Sequence, residues 1–202
     1  GRFVSTRDSQ ETHRFRMLAE QGQSPKHMVI SCCDSRVDPT LIFDAKPGEL
    51  FVVRNVANLV PPFEPHGDYH GTSAALEFAV TGLGVENILV MGHAQCGGVQ
   101  AFLEGPHTAH SNPSFIGQWM SLLNPARARV PNSESGQSAE KLRQALEFEG
   151  IRCSLENLRT FPFVTDAMAR GELSLRGAYF SIFDGSLLGM DPENSDFRPI
   201  VI

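Results

Sequence analysis

The sequence predicts an α/β fold with a mainly parallel central sheet, flanked by helices and carrying an antiparallel hairpin at its C-terminal edge. Three short runs are almost wholly apolar, as expected of strands that are buried on both faces of a parallel sheet. Segments with helical spacing or helix-start residues follow these runs, and an alternation of strands and helices is typical of strand–helix–strand units. The chain has 202 residues, enough for one domain with a substantial core, so we expect residues 1–202 to form a single domain.

The first elements in chain order are a helix and a buried strand. Residues 5–21 are polar with spaced apolar positions and predict an N-terminal helix, and residues 28–32 predict the first strand. Asp38 followed by Pro39 is a helix start signal, because it combines a capping side chain with a proline in the first turn. Residues 49–54 predict the second strand, and residues 72–83 have helical spacing.

The second half of the chain continues the alternation. Residues 87–91 predict the third strand, and a helix is expected to begin at Gly97. Residues 138–159 predict a long helix that Gly150 could interrupt. Between two strand-like runs near the C-terminus, Asp184 and Gly185 form a dipeptide that is typical of a hairpin turn.

Composition excludes several classes of protein. The net charge is −6 and the chain has no basic run, so we expect no nucleic-acid partner. No apolar stretch approaches the roughly 20 residues that a membrane-spanning helix needs. The start has no signal-peptide pattern, and two of the four cysteines lie in contexts that suggest metal binding rather than disulfides. We therefore expect a reducing compartment and a cytoplasmic location.

Metal-ligand residues follow two of the predicted strands. Cys32 ends the first strand, and His93 and Cys96 come directly after the third. Because the carboxyl ends of parallel strands meet at one edge of a sheet, we expect these side chains to converge. Two thiolates and one imidazole suit Zn²⁺, and three protein ligands leave a position for water, as in a catalytic site. A structural zinc would normally take a fourth Cys or His.

Asp34 and Arg36 add a charged pair beside these ligands. The Asp34 carboxylate could be a fourth zinc ligand in a closed state, or could accept a hydrogen bond from zinc-bound water. Arg36 could clamp that carboxylate with two hydrogen bonds and keep it ionised. A plain surface ion pair is the alternative. Strand alternation places Cys33 opposite Cys32, so we expect Cys33 in the core.

The combined pattern C-x-D-x-R followed by H-x-x-C resembles that of the beta-class carbonic anhydrases, here as CCDSR and HAQC. The likeness extends to GQSPKHMVISCCDSRVDP, PGELFVVRNVANLVPPF, GTSAALEFAV and ILVMGHAQCGG. It implies reversible hydration of carbon dioxide to bicarbonate and a proton by zinc-bound hydroxide. It also implies that Cys32, His93 and Cys96 bind Zn²⁺ and that Asp34 and Arg36 form the catalytic dyad. A homodimer or higher homo-oligomer is implied, with the N-terminal helix packed on a partner subunit.

The pocket resembles that of the plant-type members of this family. Gln23 stands where those members place an amide that orients substrate across a dimer interface, and Phe51 and Val56 match their apolar wall. Phe78 replaces a frequent tyrosine, and Val29 replaces the tryptophan of members that are regulated by bicarbonate, so we do not expect that regulation. The substrate-binding residues that we expect are Gln23, Phe51, Val56, Phe78, Gly97 and Gly98.

Two other functions are compatible with the same residues. Related enzymes hydrolyse carbonyl sulfide or carbon disulfide at a similar zinc. A non-catalytic module that binds zinc or an anion could use the same fold.

Overall fold

The computed structural model describes residues 9–66, 70–105, 114–131 and 138–200. In this part of the chain a sheet of six strands has the order β2-β1-β3-β4-β5-β6. The strands are β1 (His27–Cys32), β2 (Leu50–Asn55), β3 (Asn87–His93), β4 (Ser174–Phe180), β5 (Leu187–Met190) and β6 (Phe197–Pro199).

Helices follow most strands. They are α1 (Ser9–Gln21), α2 (Pro39–Ile42), α3 (Gly71–Glu77), α4 (Gly97–Glu104), α5 (Phe115–Met120), α6 (Asn124–Arg129), α7 (Ala139–Leu158) and α8 (Pro162–Ala169). As the sequence predicts, Asp38 caps α2, because its carboxylate accepts a hydrogen bond from the Thr40 N–H.

The strand order reverses at β1. This strand pairs in parallel with β2 on one side and with β3 on the other, and β4 continues the parallel sheet beyond β3. A crevice therefore opens beyond the carboxyl ends of β1 and β3, which is where open α/β sheets place their functional groups. The strands β5 and β6 are antiparallel. The predicted fold class is confirmed.

The sheet's two faces are covered unequally. On one face, Met28 and Ile30 of β1 and Ile88 and Val90 of β3 are fully buried in a large apolar cluster to which α7 and α8 contribute. The alternate side chains point to the other face, where a much smaller cluster forms around three buried residues, Val29, Met91 and Ala178.

The predicted long helix is present as α7, and it runs through Gly150 without the interruption that this residue could have caused. A Cβ atom at this buried position would lie 3.2 Å from Leu123 Cδ2, so the glycine allows close helix packing instead of ending the helix. The predicted helix 72–83 divides into α3 and a π-helical turn, Phe78–Leu83.

The C-terminal hairpin differs from its prediction in one respect. Its first arm, β4, belongs to the parallel sheet, and only its second arm is antiparallel. The turn between the arms contains Gly185 at φ +72°. The edge strand β6 and helix α8 were not predicted.

The N-terminal helix α1 contacts its own chain. Arg14 Nε donates to the Pro47 carbonyl at 2.7 Å, and Leu18 packs so closely on Gly48 that a Cβ atom there would lie 2.7 Å from Leu18 Cδ2. Residues 5–8 of the predicted helix lie outside the described residues, and its packing on a partner stays a prediction. None of the described helices is both long and apolar enough to cross a bilayer.

Candidate metal centre

Three buried ligand residues meet at the crevice. The donor atoms of Cys32, His93 and Cys96 all lie within 4.8 Å of one another, and the two sulfurs are 3.9 Å apart. Zinc–sulfur bonds of about 2.3 Å at the tetrahedral angle place two sulfurs about 3.8 Å apart. Cys32 ends β1, His93 ends β3 and Cys96 precedes the first residue of α4, so the strand ends bring the three donors together.

The imidazole of His93 is oriented for a metal. Its Nδ1–H donates to the Ala94 carbonyl at 2.8 Å, which leaves the lone pair on Nε2. The residue is 1% exposed, and Nε2 has no hydrogen-bond partner among the described residues. A buried nitrogen without a partner is unfavourable, and a bound metal ion would satisfy it.

The two thiols are in direct contact. Either sulfur can be the donor of the hydrogen bond between them, and this bond lowers the pKa of Cys32. That same hydrogen bond, followed by burial, raises the pKa of Cys96. A cation is therefore needed to hold both residues as thiolates side by side. The donor set and its spacing fit Zn²⁺.

The turn that carries His93 and Cys96 is tightly packed. Gln95 has φ +55°, in the left-handed region that non-glycine residues rarely adopt. At Gly98 a Cβ atom would lie 2.7 Å from Val56 Cγ1, so only glycine fits there. At Gly97 a Cβ atom would meet nothing within 4 Å, and this residue is exposed at the start of α4.

Asp34 and Arg36 form the expected pair beside the ligands. Arg36 Nε donates to Asp34 Oδ1 at 2.9 Å and Arg36 Nη2 donates to Oδ2 at 2.7 Å. These bonds hold the pKa of Asp34 well below its usual range. Oδ2 also lies 4.0 Å from His93 Nε2, so an ionised carboxylate faces the metal position. Coordination of zinc by Asp34 in a closed state stays a prediction.

Val56 lies next to this centre, whereas Gln23 does not. Val56 packs on Gly98, and the N–H of the next residue, Ala57, donates to the Cys32 sulfur at 3.4 Å. Gln23 is exposed and precedes β1, whereas Cys32 ends that strand. The strand from His27 to Cys32 spans about 17 Å and Gln23 precedes its far end, so Gln23 lies away from the metal position of its own chain.

Phe51 and Phe78 are close to each other but lie away from the centre. Phe51 pairs with Met28, whereas the residue that pairs with Cys32 is Asn55, about 13 Å further along β2. The two phenylalanine rings are 6.0 Å apart, and Phe78 is 51% exposed. The expected substrate-binding residues therefore fall into two groups, of which only Val56, Gly97 and Gly98 lie at the centre of the same chain.

Sequence reasoning missed Arg54. Its Nε donates to the Cys32 carbonyl at 2.9 Å and its Nη2 to the Asp34 carbonyl at 2.6 Å. Its Nη1 lies 3.3 Å from Asp38 Oδ2. The signal was that Arg54 is the only charged residue of β2 and follows four apolar residues.

It also missed Glu147, which lies directly behind the second cysteine ligand. Oε1 accepts the Cys96 backbone N–H at 2.9 Å, and Oε2 accepts the Tyr179 hydroxyl at 2.7 Å. The only available signal was that Glu147 shares a helix face with Gly150 and Ile151, both of which are buried.

Cys33 is exposed, so its expected place in the core is wrong. The strand β1 ends at Cys32, and the Cys33 N–H donates to Asn55 O at 2.9 Å as the chain turns away. Strand alternation therefore no longer determines where this side chain points.

Solved structures of similar fold are beta-carbonic anhydrases. The beta-carbonic anhydrase CcaA superimposes with a TM-score of 0.87 at 33% identity, over 96% of this chain and 85% of that one. A tetrameric beta-carbonic anhydrase from Sordaria macrospora superimposes with a TM-score of 0.76 at 28% identity, over 90% of this chain and 87% of that one.

Plant sequences are also similar. Beta carbonic anhydrase 6, mitochondrial, from Arabidopsis thaliana is 40% identical over 191 residues, 93% of this chain and 65% of that protein. Beta carbonic anhydrase 3 from the same plant is 38% identical over 167 residues, 82% of this chain and 64% of that protein. The chain thus spans slightly less than two thirds of the length of these relatives.

The expected cytoplasmic location is wrong as an inference from this sequence, because one of these similar proteins is named as mitochondrial. Reduced cysteines indicate the redox state of a compartment, not which compartment it is.

A sequence profile of the carbonic anhydrase family matches residues 27–187. This range contains Cys32, His93, Cys96 and the Asp34–Arg36 pair, and the two solved structures and two plant sequences described above are all named as beta-carbonic anhydrases. The resemblance stated from the motifs is confirmed: this chain belongs to the beta-carbonic anhydrase family.

Proposed function

We propose that this chain catalyses the reversible hydration of carbon dioxide to bicarbonate and a proton, with Zn²⁺ held by Cys32, His93 and Cys96. One observation carries the proposal: three convergent soft donors lie beside a carboxylate that is kept ionised, with Asp34 Oδ2 4.0 Å from His93 Nε2. When bound, zinc would supply a Lewis acid that lowers the pKa of water from 15.7 to about 7.

Asp34 would orient the attacking water. Because its pKa lies well below the usual range, Asp34 is an anion at neutral pH and can only accept hydrogen bonds. Such a carboxylate would accept a hydrogen bond from the nucleophile and leave one of its lone pairs free to attack carbon dioxide. Arg36 holds both carboxylate oxygens, which fixes the direction in which Asp34 accepts.

The carbon dioxide would lie against Val56, the apolar side chain next to the ligand turn. Gln23, Phe51 and Phe78 are too far from the centre of their own chain to contact the same substrate. We therefore propose a homo-oligomer in which these residues complete the site of a second copy. The tetrameric assembly of the Sordaria macrospora relative supports this arrangement.

Carbon dioxide hydration and zinc content, measured on one preparation, test the catalytic proposal. Asp34→Ala should lower turnover by about 10²- to 10⁴-fold while zinc stays bound, because a group that orients the nucleophile is lost and no ligand is removed. Asp166→Ala, at an exposed position on α8, is the matched control and should be fully active. Undiminished hydration by Asp34→Ala would refute the assignment. Faster turnover of carbonyl sulfide than of carbon dioxide would reassign the substrate.

Co-expression of two inactive variants tests the shared site. Chains carrying Asp34→Ala and chains carrying Gln23→Ala should each be impaired alone. If Gln23 acts in the site of a second copy, mixed oligomers contain sites in which both residues are intact, and activity returns. Turnover in the mixture no higher than that of the two variants alone, or a monomeric mass by light scattering, would contradict the proposal.

A further inference from the structure

We propose that Glu147 is a positioning residue for the metal centre: its buried carboxylate holds the turn that presents Cys96. The inference rests on the proposed zinc binding, but not on the identity of the substrate.

Both oxygens of Glu147 are committed to contacts. The side chain is 3% exposed, Oε1 accepts the Cys96 N–H at 2.9 Å, and Oε2 accepts the Tyr179 hydroxyl at 2.7 Å. Arg143 Nε, one helical turn earlier, lies 3.7 Å from Oε1. Tyr179 is on β4 and Glu147 is on α7, so the carboxylate connects a strand and a helix to the ligand turn.

The turn depends on contacts from outside itself. Gln95 adopts φ +55°, which a non-glycine residue keeps only where the surrounding structure requires it. The Ala94 N–H donates to the Phe180 carbonyl at 2.9 Å, and the Gln95 carbonyl accepts from Arg36 at 3.2 Å. The Cys96 N–H is held by Glu147. Without this acceptor the backbone of a ligand residue would have an unpaired donor in a buried position.

A buried acid is an unfavourable choice for mere packing. The side chain is 3% exposed, and moving an acidic group out of water costs free energy unless hydrogen bonds compensate for it. Neighbours on the same helix face, such as Ile151, are apolar and fully buried. Groups that hold metal ligands in place from behind commonly change metal affinity when they are replaced. The geometry therefore assigns Glu147 to the metal centre and not to the core.

Zinc affinity, measured by competition with a chromophoric chelator, tests the assignment. Glu147→Leu removes both acceptors and should weaken zinc binding by about 10- to 100-fold. Glu147→Gln keeps an acceptor for Cys96 and should stay within about threefold of the unmodified chain. Glu149→Gln, two residues away on the same helix and paired with Arg152, is the matched control and should bind zinc normally. With Co²⁺ in place of zinc, only Glu147→Leu should change the cobalt–thiolate absorption bands.

Normal affinity in Glu147→Leu would overturn the inference, and so would a loss in Glu147→Gln as large as that in Glu147→Leu. If Glu147→Leu does not fold, Tyr179→Phe removes only the hydroxyl that anchors Oε2. This variant should weaken zinc binding by at least about threefold, and an unchanged affinity would refute the assignment. If the unmodified chain binds no zinc, the proposed function itself fails, so the two failures are distinguishable.

Discussion

Replacement of Arg54 by methionine should lower the free energy of unfolding, because the segment from Cys32 to Asp34 loses two hydrogen bonds to its backbone. The guanidinium donates to the carbonyls of Cys32 and Asp34 at 2.9 and 2.6 Å. Methionine keeps an unbranched apolar side chain but donates no hydrogen bond. The backbone carbonyls of Cys32 and Asp34 then lose this donor.

The expected loss follows from these contacts. A hydrogen bond to a charged donor contributes about 1.5–3 kcal/mol when buried. The Arg54 side chain is 28% exposed, so water replaces part of what is lost, and two such bonds amount to about 2–4 kcal/mol. The Asp38 contact adds less than about 1 kcal/mol, because it is 3.3 Å long and the Asp38 side chain is 38% exposed.

Urea unfolding provides the assay. Unfolding can be followed by far-ultraviolet circular dichroism and by the emission of Trp119, the only tryptophan, whose Nε1 donates to Val56 O next to the site. Arg54→Lys keeps the positive charge but not the planar guanidinium with its several donors. Its free energy of unfolding should therefore lie between those of the unmodified chain and Arg54→Met. Arg129→Met is the control, because it breaks a surface pair with Glu156. It should lower the free energy of unfolding by less than about 1 kcal/mol. An Arg54→Met variant within about 0.5 kcal/mol of the unmodified chain would refute the reasoning.

Three further predictions concern packing, pH and metal. Gly98→Ala places a Cβ atom 2.7 Å from Val56 Cγ1 and should lower the unfolding free energy by about 1–3 kcal/mol, with weaker zinc binding; an unchanged thermal midpoint would contradict it. Arg129 holds the pKa of Glu156 below its usual range, so this pair stabilises the fold above about pH 4.3 and the effect is lost as the pH falls through the folded-state pKa. In urea unfolding, the free energy of unfolding of Glu156→Gln should therefore be lower than that of the unmodified chain by less than about 1 kcal/mol at pH 7, and the difference should shrink at pH 3.5. A difference that grows in acid would contradict the predicted pH dependence. Zinc at 100 times its dissociation constant should add about 2.7 kcal/mol of stability, so chelation should lower the thermal midpoint and added zinc should restore it; a midpoint indifferent to chelator would argue against the metal centre.

The convergence of Cys32, His93 and Cys96 could be predicted because each of these residues adjoins an apolar run. Cys32 and His93 end buried strands, and Cys96 follows within one turn. Parallel strands align their carboxyl ends, so local sequence was sufficient to place residues from distant segments at one crevice. Asp34 and Arg36 could be paired for a similar reason, since only one residue, Ser35, separates them and their side chains are within reach of each other.

Other predictions failed where packing overrides local preference. Glycine disfavours helix, yet Gly150 lies inside α7 because a larger residue would press on Leu123. Strand alternation predicted a buried Cys33, but the strand ends one residue earlier and the thiol is exposed.

The sequence by itself predicted the fold class, the convergence of Cys32, His93 and Cys96, and the Asp34–Arg36 pair, since these follow from periodicity and from short spacing. Only the tertiary structure decided that Arg54 and Glu147 hold the backbone of the ligand turns, and that Gln23, Phe51 and Phe78 lie away from the centre of their own chain. Periodicity shows which face a residue occupies, whereas the partner it meets there depends on how strands and helices that are distant in the sequence pack together.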